Sequence, residues 1–373
     1  MRPSVAIERC ASYSEEDIGA AVTRVLDLVL ADRIREVEGR RVLIKPNLLA
    51  AREPSRGVTT HPAVVGAVID YLKGYRAEVF VGDSPAGALR GVGRVWDKTG
   101  MLKVCESKSV PLVNFEAAGW ITRSVADRSY QISRAVLEAD YIINLAKFKT
   151  HVLTLLTGAI KNMFGCVPGF RKSALHLACP RPAQMSKALV DIFSLVPPWV
   201  SLADAVVAMD DNGPSSGRLR GLGFVAASMD SVALDAVLGI IAGIDPLRVP
   251  TTQDAYRRGF GEALPERIEF PGLKPGDVAP GNFKVPANWK FSLIPGFTGR
   301  VLSRLVWVKP AIDQDTCTGC GQCRDVCAAG AIEMEGEKAV IAGRLCTSCL
   351  CCHEACPYGA VRVGMSRLAR LLA

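Results

Sequence analysis

Two cysteine runs decide the fold at the end of this chain: Cys317-Thr-Gly-Cys320-Gly-Gln-Cys323-Arg-Asp-Val-Cys327 and Cys346-Thr-Ser-Cys349-Leu-Cys-Cys352-His-Glu-Ala-Cys356-Pro357. Both follow C-x2-C-x2-C-x3-C, and they begin 29 residues apart. Three cysteines on so tight a loop direct thiolates at three corners of one cubane. The fourth begins a helix and faces away. The runs therefore predict an internal duplication whose halves exchange their last cysteine.

This spacing indicates two [4Fe-4S] clusters of the bacterial ferredoxin type, which transfer single electrons. The predicted ligands of the first cluster are Cys317, Cys320, Cys323 and Cys356, and those of the second are Cys346, Cys349, Cys352 and Cys327. The alternative is a pair of structural zinc sites, but zinc usually takes two separated C-x2-C pairs. The extra Cys351 is expected to be a small buried residue and not a ligand.

The composition indicates the cellular compartment of the protein and the kinds of partner that it binds. Nine of the thirteen cysteines lie between Cys317 and Cys356, which favours metal binding in a reducing compartment over disulfides. The N-terminal residues do not resemble a signal peptide, and no apolar stretch is long enough to span a bilayer, so we expect a cytoplasmic protein. The net charge of +8 is spread along the chain, which favours an anionic ligand or an acidic protein partner over nucleic acid.

Short apolar strands alternate with helical segments over the first two-thirds of the chain. Ile18, Val22, Val25 and Val29 fall on one helical face, and a second helix is predicted from Pro62. The predicted strands are 42–44, 77–81, 111–115, 141–145, 200–203 and 222–227, and a long helix is predicted over 229–242. This order predicts an α/β fold, with a mostly parallel sheet covered by helices on both faces.

Changes in composition suggest four parts. We expect an α/β domain over residues 1–250, a linker or wrapping segment over 251–305, and a small α+β ferredoxin domain over 306–365. The middle segment is assigned from its Pro, Gly and Lys content and its weak periodicity. Residues 366–373 form a basic tail, predicted to be a capping helix and not a membrane-surface helix.

Three polar clusters follow predicted strands in the large domain. No dinucleotide fingerprint and no P-loop is present, so neither a nicotinamide nor a P-loop nucleotide is predicted. Ligands of open α/β sheets bind beyond the carboxyl ends of the strands, where these clusters lie. The candidate binding residues are Lys45, Asn47, Lys147, Lys161, Asn162, Asp204 and Asn212, and the candidate catalytic residues are Lys149, His151 and His176.

Residues 147, 149 and 151 point to one side of an extended strand. Like charges at one place repel unless an anion offsets them. We therefore expect Lys45, Lys147 and Lys149 to converge on a pocket that holds sulfate, phosphate or a carboxylate. The alternative is that these are solvated strand ends, and the 210–214 stretch also makes a good turn.

Five stretches of the large domain resemble the DUF362 family: VLIKPNLL (42–49), THPAVV (60–65), NLAKFKTHVLTLLTGAIKNMFGCVPG (144–169), MDDNGPSSG (209–217) and SMDSVALDAVLGIIAGIDP (228–246). Many members of that family carry a ferredoxin domain at the C-terminus, as this chain does. One departure is MDDNGP, where members often show a MEGNGP-like sequence. The family name records an unknown function, so the resemblance implies an architecture and not a reaction.

The sequence is compatible with three functions. The first is a redox enzyme that takes electrons from a carrier protein and passes them to an anionic small molecule or cofactor, with His151 or His176 supplying protons. The second is a non-enzymatic electron-transfer or cofactor-maturation protein, in which the polar clusters bind a partner. The third is a non-redox enzyme whose clusters only stabilise the fold.

Overall fold

The structure is a computed structural model that describes residues 2–86, 91–286 and 308–366. The α-helices are α1 (Glu15–Leu30), α2 (Pro62–Gly74), α3 (Val92–Lys98), α4 (Met101–Ser107), α5 (Arg134–Leu137), α6 (Ala159–Asn162), α7 (Arg171–Ala178), α8 (Pro182–Leu195), α9 (Ser231–Ile241), α10 (Pro250–Arg257), α11 (Pro275–Val278), α12 (Gln322–Asp325) and α13 (Cys351–Ala355). Short 3-10 helices span Ala31–Val37, Pro54–Arg56, Met163–Cys166, Pro246–Arg248 and Pro265–Arg267.

Within the described ranges, the strands form one large sheet and three small antiparallel pairs. They are β1 (Ala6–Arg9), β2 (Arg41–Pro46), β3 (Glu78–Asp83), β4 (Leu112–Asn114), β5 (Trp120–Val125), β6 (Arg128–Ser133), β7 (Tyr141–His151), β8 (Leu155–Thr157), β9 (Val200–Asp210), β10 (Arg218–Ser228), β11 (Val308–Ile312), β12 (Ile332–Glu335), β13 (Lys338–Ile341) and β14 (Val361–Met365). The large sheet has the order β1-β10-β9-β7-β2-β3-β4, and β8 pairs with β7 outside this path.

The centre of the large sheet is parallel, as the sequence predicts. Strands β9, β7, β2, β3 and β4 run parallel to their neighbours, whereas β10, β1 and β8 join antiparallel. Because β2 lies beside β7 with Lys45 opposite Asn144, the polar residues at the ends of these two strands meet at one edge.

Helices cover both faces of this sheet. The predicted face of α1, including Ile18, Val22 and Val25, packs on one side together with α2, and the hydroxyl of Ser14 caps the start of α1. Helices α6, α8 and α9 cover the opposite side. Side chains of β2 alternate between the two cores: Leu43 enters one, and Val42 and Ile44 enter the other.

Residues 251–286 pack against the large domain. Thr251, Ala255 and Val278 are buried there, and Glu269 forms a backbone bridge with Ser4 near the N-terminus. The rest of the expected linker, 287–305, lies outside the described residues, and so do 367–373 of the expected basic tail.

The cysteine domain consists of two strand pairs and two short helices. Strand β11 pairs with β14, and β12 pairs with β13. The domain lies against the large domain, where Arg52 donates a hydrogen bond to the Cys356 carbonyl at 2.8 Å and the Ser215 hydroxyl lies 3.1 Å from the His353 carbonyl oxygen. Among the described residues, no helix is long and apolar enough to cross a membrane.

Candidate functional site

Lys147, Lys149 and His151 lie in a row on β7, and each contacts a different partner. The ammonium of Lys147 lies 2.8 Å from Oδ2 of Asp204 and donates to the hydroxyl of Tyr13 at 2.7 Å. Phe148, between the two lysines, points into the apolar core on the other side of the strand. The three side chains therefore lie on the polar side of the strand, as the alternation predicts, but each of them binds a different partner.

The Lys147 contact is a closed network. Tyr13 donates to Oδ1 of Asp204 at 2.8 Å and stacks on the ring of His61 with 3.7 Å between ring centroids. Oδ2 of Asp204 also accepts the backbone N–H of His61 at the start of α2. Asp204 thus neutralises the buried Lys147, and the two residues form an internal ion pair. Through its contact with His61, this pair positions the start of α2.

Lys149 is fully buried and is held by neutral acceptors. Its ammonium donates to the Val58 carbonyl at 2.6 Å and to Oδ1 of Asn47 at 3.0 Å. Burial, together with the nearby charge of Lys161, lowers the pKa of Lys149 to about 7. The Asn47 amide in turn donates to Oδ1 of Asn162 at 3.0 Å, so Lys149 orients a pair of asparagines.

The tautomer of His151 follows from its hydrogen bonds. Its Nδ1 accepts the backbone N–H groups of Leu153 and Thr154 at 3.0 and 3.3 Å. Nε2 therefore carries the proton, and it lies 2.8 Å from Oε1 of Glu354, on α13 of the cysteine domain. Burial and the charge of Lys161 lower the pKa of His151 to about 3, so the ring is neutral at pH 7.

A cavity lies where the two domains meet, and we call it the interdomain cavity. The centres of water-sized molecules have about 60 Å³ available in it. The large domain contributes most of the wall, and the cysteine domain contributes the rest. The polar and thiol side chains of the wall are Lys45, Asn47, Asp83, Ser84, Thr157, Lys161, Asn162, Lys172, Ser173, His176, Cys351 and Glu354.

Two lysines of the interdomain cavity have partners within the protein. Lys45 Nζ lies 2.9 Å from Oδ1 of Asp83, and it donates to the Pro46 carbonyl at 3.1 Å. The Lys45–Asp83 contact is an ion pair by distance but lacks hydrogen-bond geometry at Oδ1. Lys172 donates to the hydroxyl and the carbonyl of Ser84, and burial lowers the pKa of Lys172 to about 8.

Three other polar groups of the cavity are unpartnered within the described chain. The ammonium of Lys161 has neither a hydrogen bond nor an ion pair there, although this side chain is only 8% exposed. Oγ1 of Thr157 and Nδ1 of His176 are buried without a hydrogen-bond partner. Burial also lowers the pKa of His176 to about 4. Buried polar groups without partners cost free energy, so this set indicates a place for a ligand or ordered water.

The structure groups the predicted residues differently from the expectation. The expected convergence of Lys45, Lys147 and Lys149 on one pocket is wrong: only Lys45 is part of the interdomain cavity wall. The reason is local pairing, since Asp204 binds Lys147 and a carbonyl binds Lys149. The predicted residues that line this cavity are Lys45, Asn47, Lys161, Asn162 and His176, and those that do not are Lys147, Lys149, His151, Asp204 and Asn212.

Sequence reasoning missed seven of the twelve polar and thiol residues of the wall: Asp83, Ser84, Thr157, Lys172, Ser173, Cys351 and Glu354. Asp83 ends a strand, as Lys45 does, so the same strand-end rule would have found it. Lys172 lies in the basic stretch that follows Gly169. No sequence pattern indicates Thr157 or Glu354 as a site residue, because Thr157 is one of many threonines and Glu354 lies inside a cysteine run.

The eight predicted ligand cysteines surround two further cavities. One is lined by Cys317, Cys320, Cys323 and Cys356. The other is lined by Cys327, Cys346, Cys349 and Cys352. Each set contains three cysteines of one run and the last cysteine of the other, and a set of four thiols is chemically suited to a [4Fe-4S] cluster.

The two cysteine loops share their backbone conformation. Gly319 and Ser348, at matching positions, have φ of 68° and 59°, and Gly321 and Leu350 have φ of 73° and 63°. A left-handed φ is unusual for serine and leucine, so the second loop repeats the first despite lacking both glycines. The backbone thus agrees with the duplication seen in the sequence.

One residue belongs to both the interdomain cavity and a cysteine site. Cys351 lines the interdomain cavity and also the cavity of Cys327, Cys346, Cys349 and Cys352. The two spaces therefore share a wall at the start of α13. Any cluster held by that second set lies next to the interdomain cavity.

Residues 42–238 match the family described as "Domain of unknown function (DUF362)", and residues 309–357 match a "4Fe-4S dicluster domain". The chain belongs to the DUF362 family. The match spans more than half of the 373 residues, and the cysteine domain is a 4Fe-4S ferredoxin-type domain. This DUF362 protein is therefore an iron–sulfur protein of the redox type.

The chain is also similar to a protein from Synechocystis sp. over most of both sequences. It is 34% identical over 288 residues, which cover 77% of this chain and 88% of the relative, and its name describes it as a thylakoid-associated protein.

Two solved structures are similar at low identity. The lactate racemase apoprotein of Thermoanaerobacterium thermosaccharolyticum has a TM-score of 0.45 at 13% identity, covering 65% of this chain and 57% of that chain. A Thermotoga maritima protein has a TM-score of 0.33 at 17% identity, covering 52% of this chain and 51% of that chain. The DUF362 protein thus spans little more than half of each.

Proposed function

We propose that this DUF362 protein is a ferredoxin-coupled reductase that transfers electrons to a small anionic molecule or cofactor in the interdomain cavity. The observation that carries the proposal is the shared wall at Cys351, next to three unpartnered polar groups. The cavity offers a place for an electron acceptor, and its neighbour offers four thiols for a cluster. A binding protein without redox chemistry has no need for this adjacency.

The charge of Lys161 favours an anionic ligand. Its side chain is largely buried in the cavity wall, and its ammonium has no hydrogen bond or ion pair among the described residues, whereas Lys45 and Lys172 beside it are satisfied. A largely buried cation without an ion-pair partner is disfavoured, and a bound anion offsets that cost. The small volume of the cavity favours a carboxylate or phosphate group over a large polyanion.

We propose two [4Fe-4S] clusters, with the ligand sets predicted from the sequence. The cavities of the two sets support this assignment. Each cluster supplies one electron at a time, which suits a two-electron reduction without a nicotinamide. A ferredoxin-type carrier protein is the proposed source of these electrons.

His176 is the proposed proton donor. It lines the cavity directly, and its Nδ1 has no protein partner in the described chain. An anion bound beside the ring raises its pKa from the low value that burial imposes, which makes a proton available. His151 does not reach the cavity and is instead proposed to position Glu354. A two-electron reduction then consumes two electrons from the carrier and two protons, one of them through His176.

The experiment is an anaerobic reoxidation assay. The reduced protein is mixed with small carboxylates and phosphate-bearing compounds, and the visible absorbance of its clusters is followed. We expect at least one compound to reoxidise the clusters, and Lys161→Met to slow this reoxidation strongly. The matched control is Lys187→Met, because Lys187 is an exposed lysine of α8.

Two other results of this assay would contradict parts of the proposal. Reoxidation by a protein carrier but by no small anion favours an electron-transfer or cofactor-maturation protein. Equal reoxidation rates in wild type and Lys161→Met refute the anion site.

The cytoplasm remains the proposed location of this protein. The name of the Synechocystis relative places that protein at thylakoids, so peripheral contact with a membrane is the competing possibility. Cell fractionation with low-salt and high-salt washes distinguishes the two locations. Recovery in the membrane fraction after the low-salt wash refutes the cytoplasmic assignment, and release by the high-salt wash then identifies a peripheral contact.

A further inference from the structure

We infer that an acidic electron-carrier protein docks on a groove lined by Ala50, Ala51, Arg94, Val95, Cys320 and Gln322, which we call the docking groove. The inference rests on the proposed function only in that Cys317, Cys320, Cys323 and Cys356 hold a cluster. It does not depend on the anion site.

The docking groove reaches the first cysteine set from outside. Its volume for the centres of water-sized molecules is about 300 Å³, five times that of the interdomain cavity. Cys320 lines both this groove and the cavity of the first cysteine set, and it is partly exposed. A carrier seated in the groove is therefore brought against the first set.

The two cysteine sets border different spaces. The second set shares Cys351 with the interdomain cavity, and the first set shares Cys320 with the docking groove. Both spaces lie between the large domain and the cysteine domain, but the docking groove includes the exposed Arg94 and the partly exposed Cys320 and Gln322, so solvent reaches it along that side. A carrier gains access on this side.

An ordered cation and an exposed aromatic ring lie at the edge of the groove. Arg94 donates a hydrogen bond to the Tyr358 hydroxyl at 3.1 Å, and its guanidinium carbon lies 5.9 Å from the centroid of that ring. Tyr358 is 40% exposed and also lines the cavity of the first cysteine set. Arginine and tyrosine are enriched in protein interfaces, and here each holds the other in place.

The charge of the groove decides the kind of partner. Arg94 is the one charged side chain among the described residues that line it, and no carboxylate lines it there. Apart from the polar Gln322, the rest of the lining is small and apolar, which suits a transient contact. A cationic edge on a chain of net charge +8 selects a partner with an acidic face and speeds its approach.

The test measures binding without turnover. Oxidised holo-protein is titrated with an oxidised acidic ferredoxin by isothermal calorimetry, at low and at high salt, with no anionic substrate present. We expect a weak complex that high salt disrupts. Arg94→Glu should weaken it at least about tenfold at low salt, because like charges then face each other. Ala51→Glu, which puts a carboxylate in the groove, should have the same effect.

The control is Arg123→Glu, an exposed arginine of β5 that does not line the groove. The inference is overturned if all three variants bind as wild type does, if only Arg123→Glu weakens binding, or if no complex forms at low salt. Visible spectra and iron content identify a variant that has lost its clusters. Loss of the anion site alone leaves this binding intact, so the two proposals fail separately.

Discussion

Nε2 of His151 lies 2.8 Å from Oε1 of Glu354, and this buried contact joins the two domains. Glu354 lies on α13 between Cys352 and Cys356, so a strand of the large domain is connected directly to the helix that carries one predicted cluster ligand, Cys352, and ends next to another, Cys356. Burial alone raises the pKa of Glu354, but the charge of Lys161 and the hydrogen bond with His151 outweigh it and hold that pKa well below its ordinary value.

Removing the Glu354 carboxylate should destabilise the junction between the domains. Glu354→Ala leaves the N–H of His151 buried without an acceptor, and we expect a loss of about 1.5–3 kcal/mol in the free energy of unfolding. Glu354→Gln keeps a carbonyl acceptor and should lose less. Urea unfolding of anaerobic holo-protein measures both variants.

Glu333→Ala is the matched control, because Glu333 is exposed on β12. It should change the free energy of unfolding by no more than about 0.5 kcal/mol. Equal losses for Glu354→Ala and Glu333→Ala would mean that the junction contributes nothing measurable.

Gly165 is required by the Lys45–Asp83 pair. A Cβ atom at Gly165 would lie 2.0 Å from Oδ1 of Asp83 and 2.6 Å from Nζ of Lys45. Gly165→Ala should therefore displace the pair, reduce the free energy of unfolding by about 1–3 kcal/mol and weaken anion binding in the cavity. Urea unfolding and calorimetry with inorganic phosphate check the two effects.

Gly19→Ala is the control for this substitution. Gly19 lies inside α1, and a Cβ atom there meets nothing within 4 Å. Alanine should stabilise that helix by roughly 0.5–1 kcal/mol. If Gly165→Ala behaves as Gly19→Ala does, the backbone of residue 165 is not packed against the ion pair.

Periodicity predicted which way side chains point, but not what they meet. The alternation in β7 correctly put Lys147, Lys149 and His151 on one side of the strand. Their partners are distant in sequence: Asp204 is 57 residues from Lys147, and Glu354 is 203 residues from His151. An anion was expected to neutralise the lysines, but Asp204 neutralises Lys147, and no local pattern indicates that pairing.

The parallel sheet and the cysteine domain were easier to predict, because short-range spacing determines them. Apolar strands between helices require a covered parallel sheet, and the C-x2-C-x2-C-x3-C spacing allows few other sites. The interdomain cavity was only partly predictable. Lys45, Asn47, Lys161, Asn162 and His176 lie in recognisable segments, whereas the wall that carries Glu354 depends on how the domains dock.

The pKa of Lys149 should be measurable near neutrality. Burial lowers it to about 7 from an ordinary value of 10.5. Between these values the unfolded chain binds more protons than the folded protein, so this residue makes stability rise as pH increases from about 7 to 10.5. NMR of 13C-labelled lysine side chains should show one resonance that titrates near pH 7.

Lys149→Met assigns that resonance by removing it. The variant should also reduce the rise in the free energy of unfolding over the same pH range, but not abolish it, because buried Lys172 contributes in the same direction. A Lys149 midpoint above pH 10 would show that its two neutral acceptors, the Val58 carbonyl and Asn47, compensate for burial.

Pairs of cysteine substitutions test whether the two runs exchange their last ligand. If Cys327 serves the second cluster, Cys327→Ser with Cys349→Ser damages one cluster only, and about four of the expected eight iron atoms should remain. Cys327→Ser with Cys320→Ser should damage both clusters and leave little iron. The opposite ranking of iron content would place Cys327 with its sequence neighbours. Cys351→Ser is the control: it should keep about eight iron atoms and eight sulfides, since Cys351 is not predicted to be a ligand.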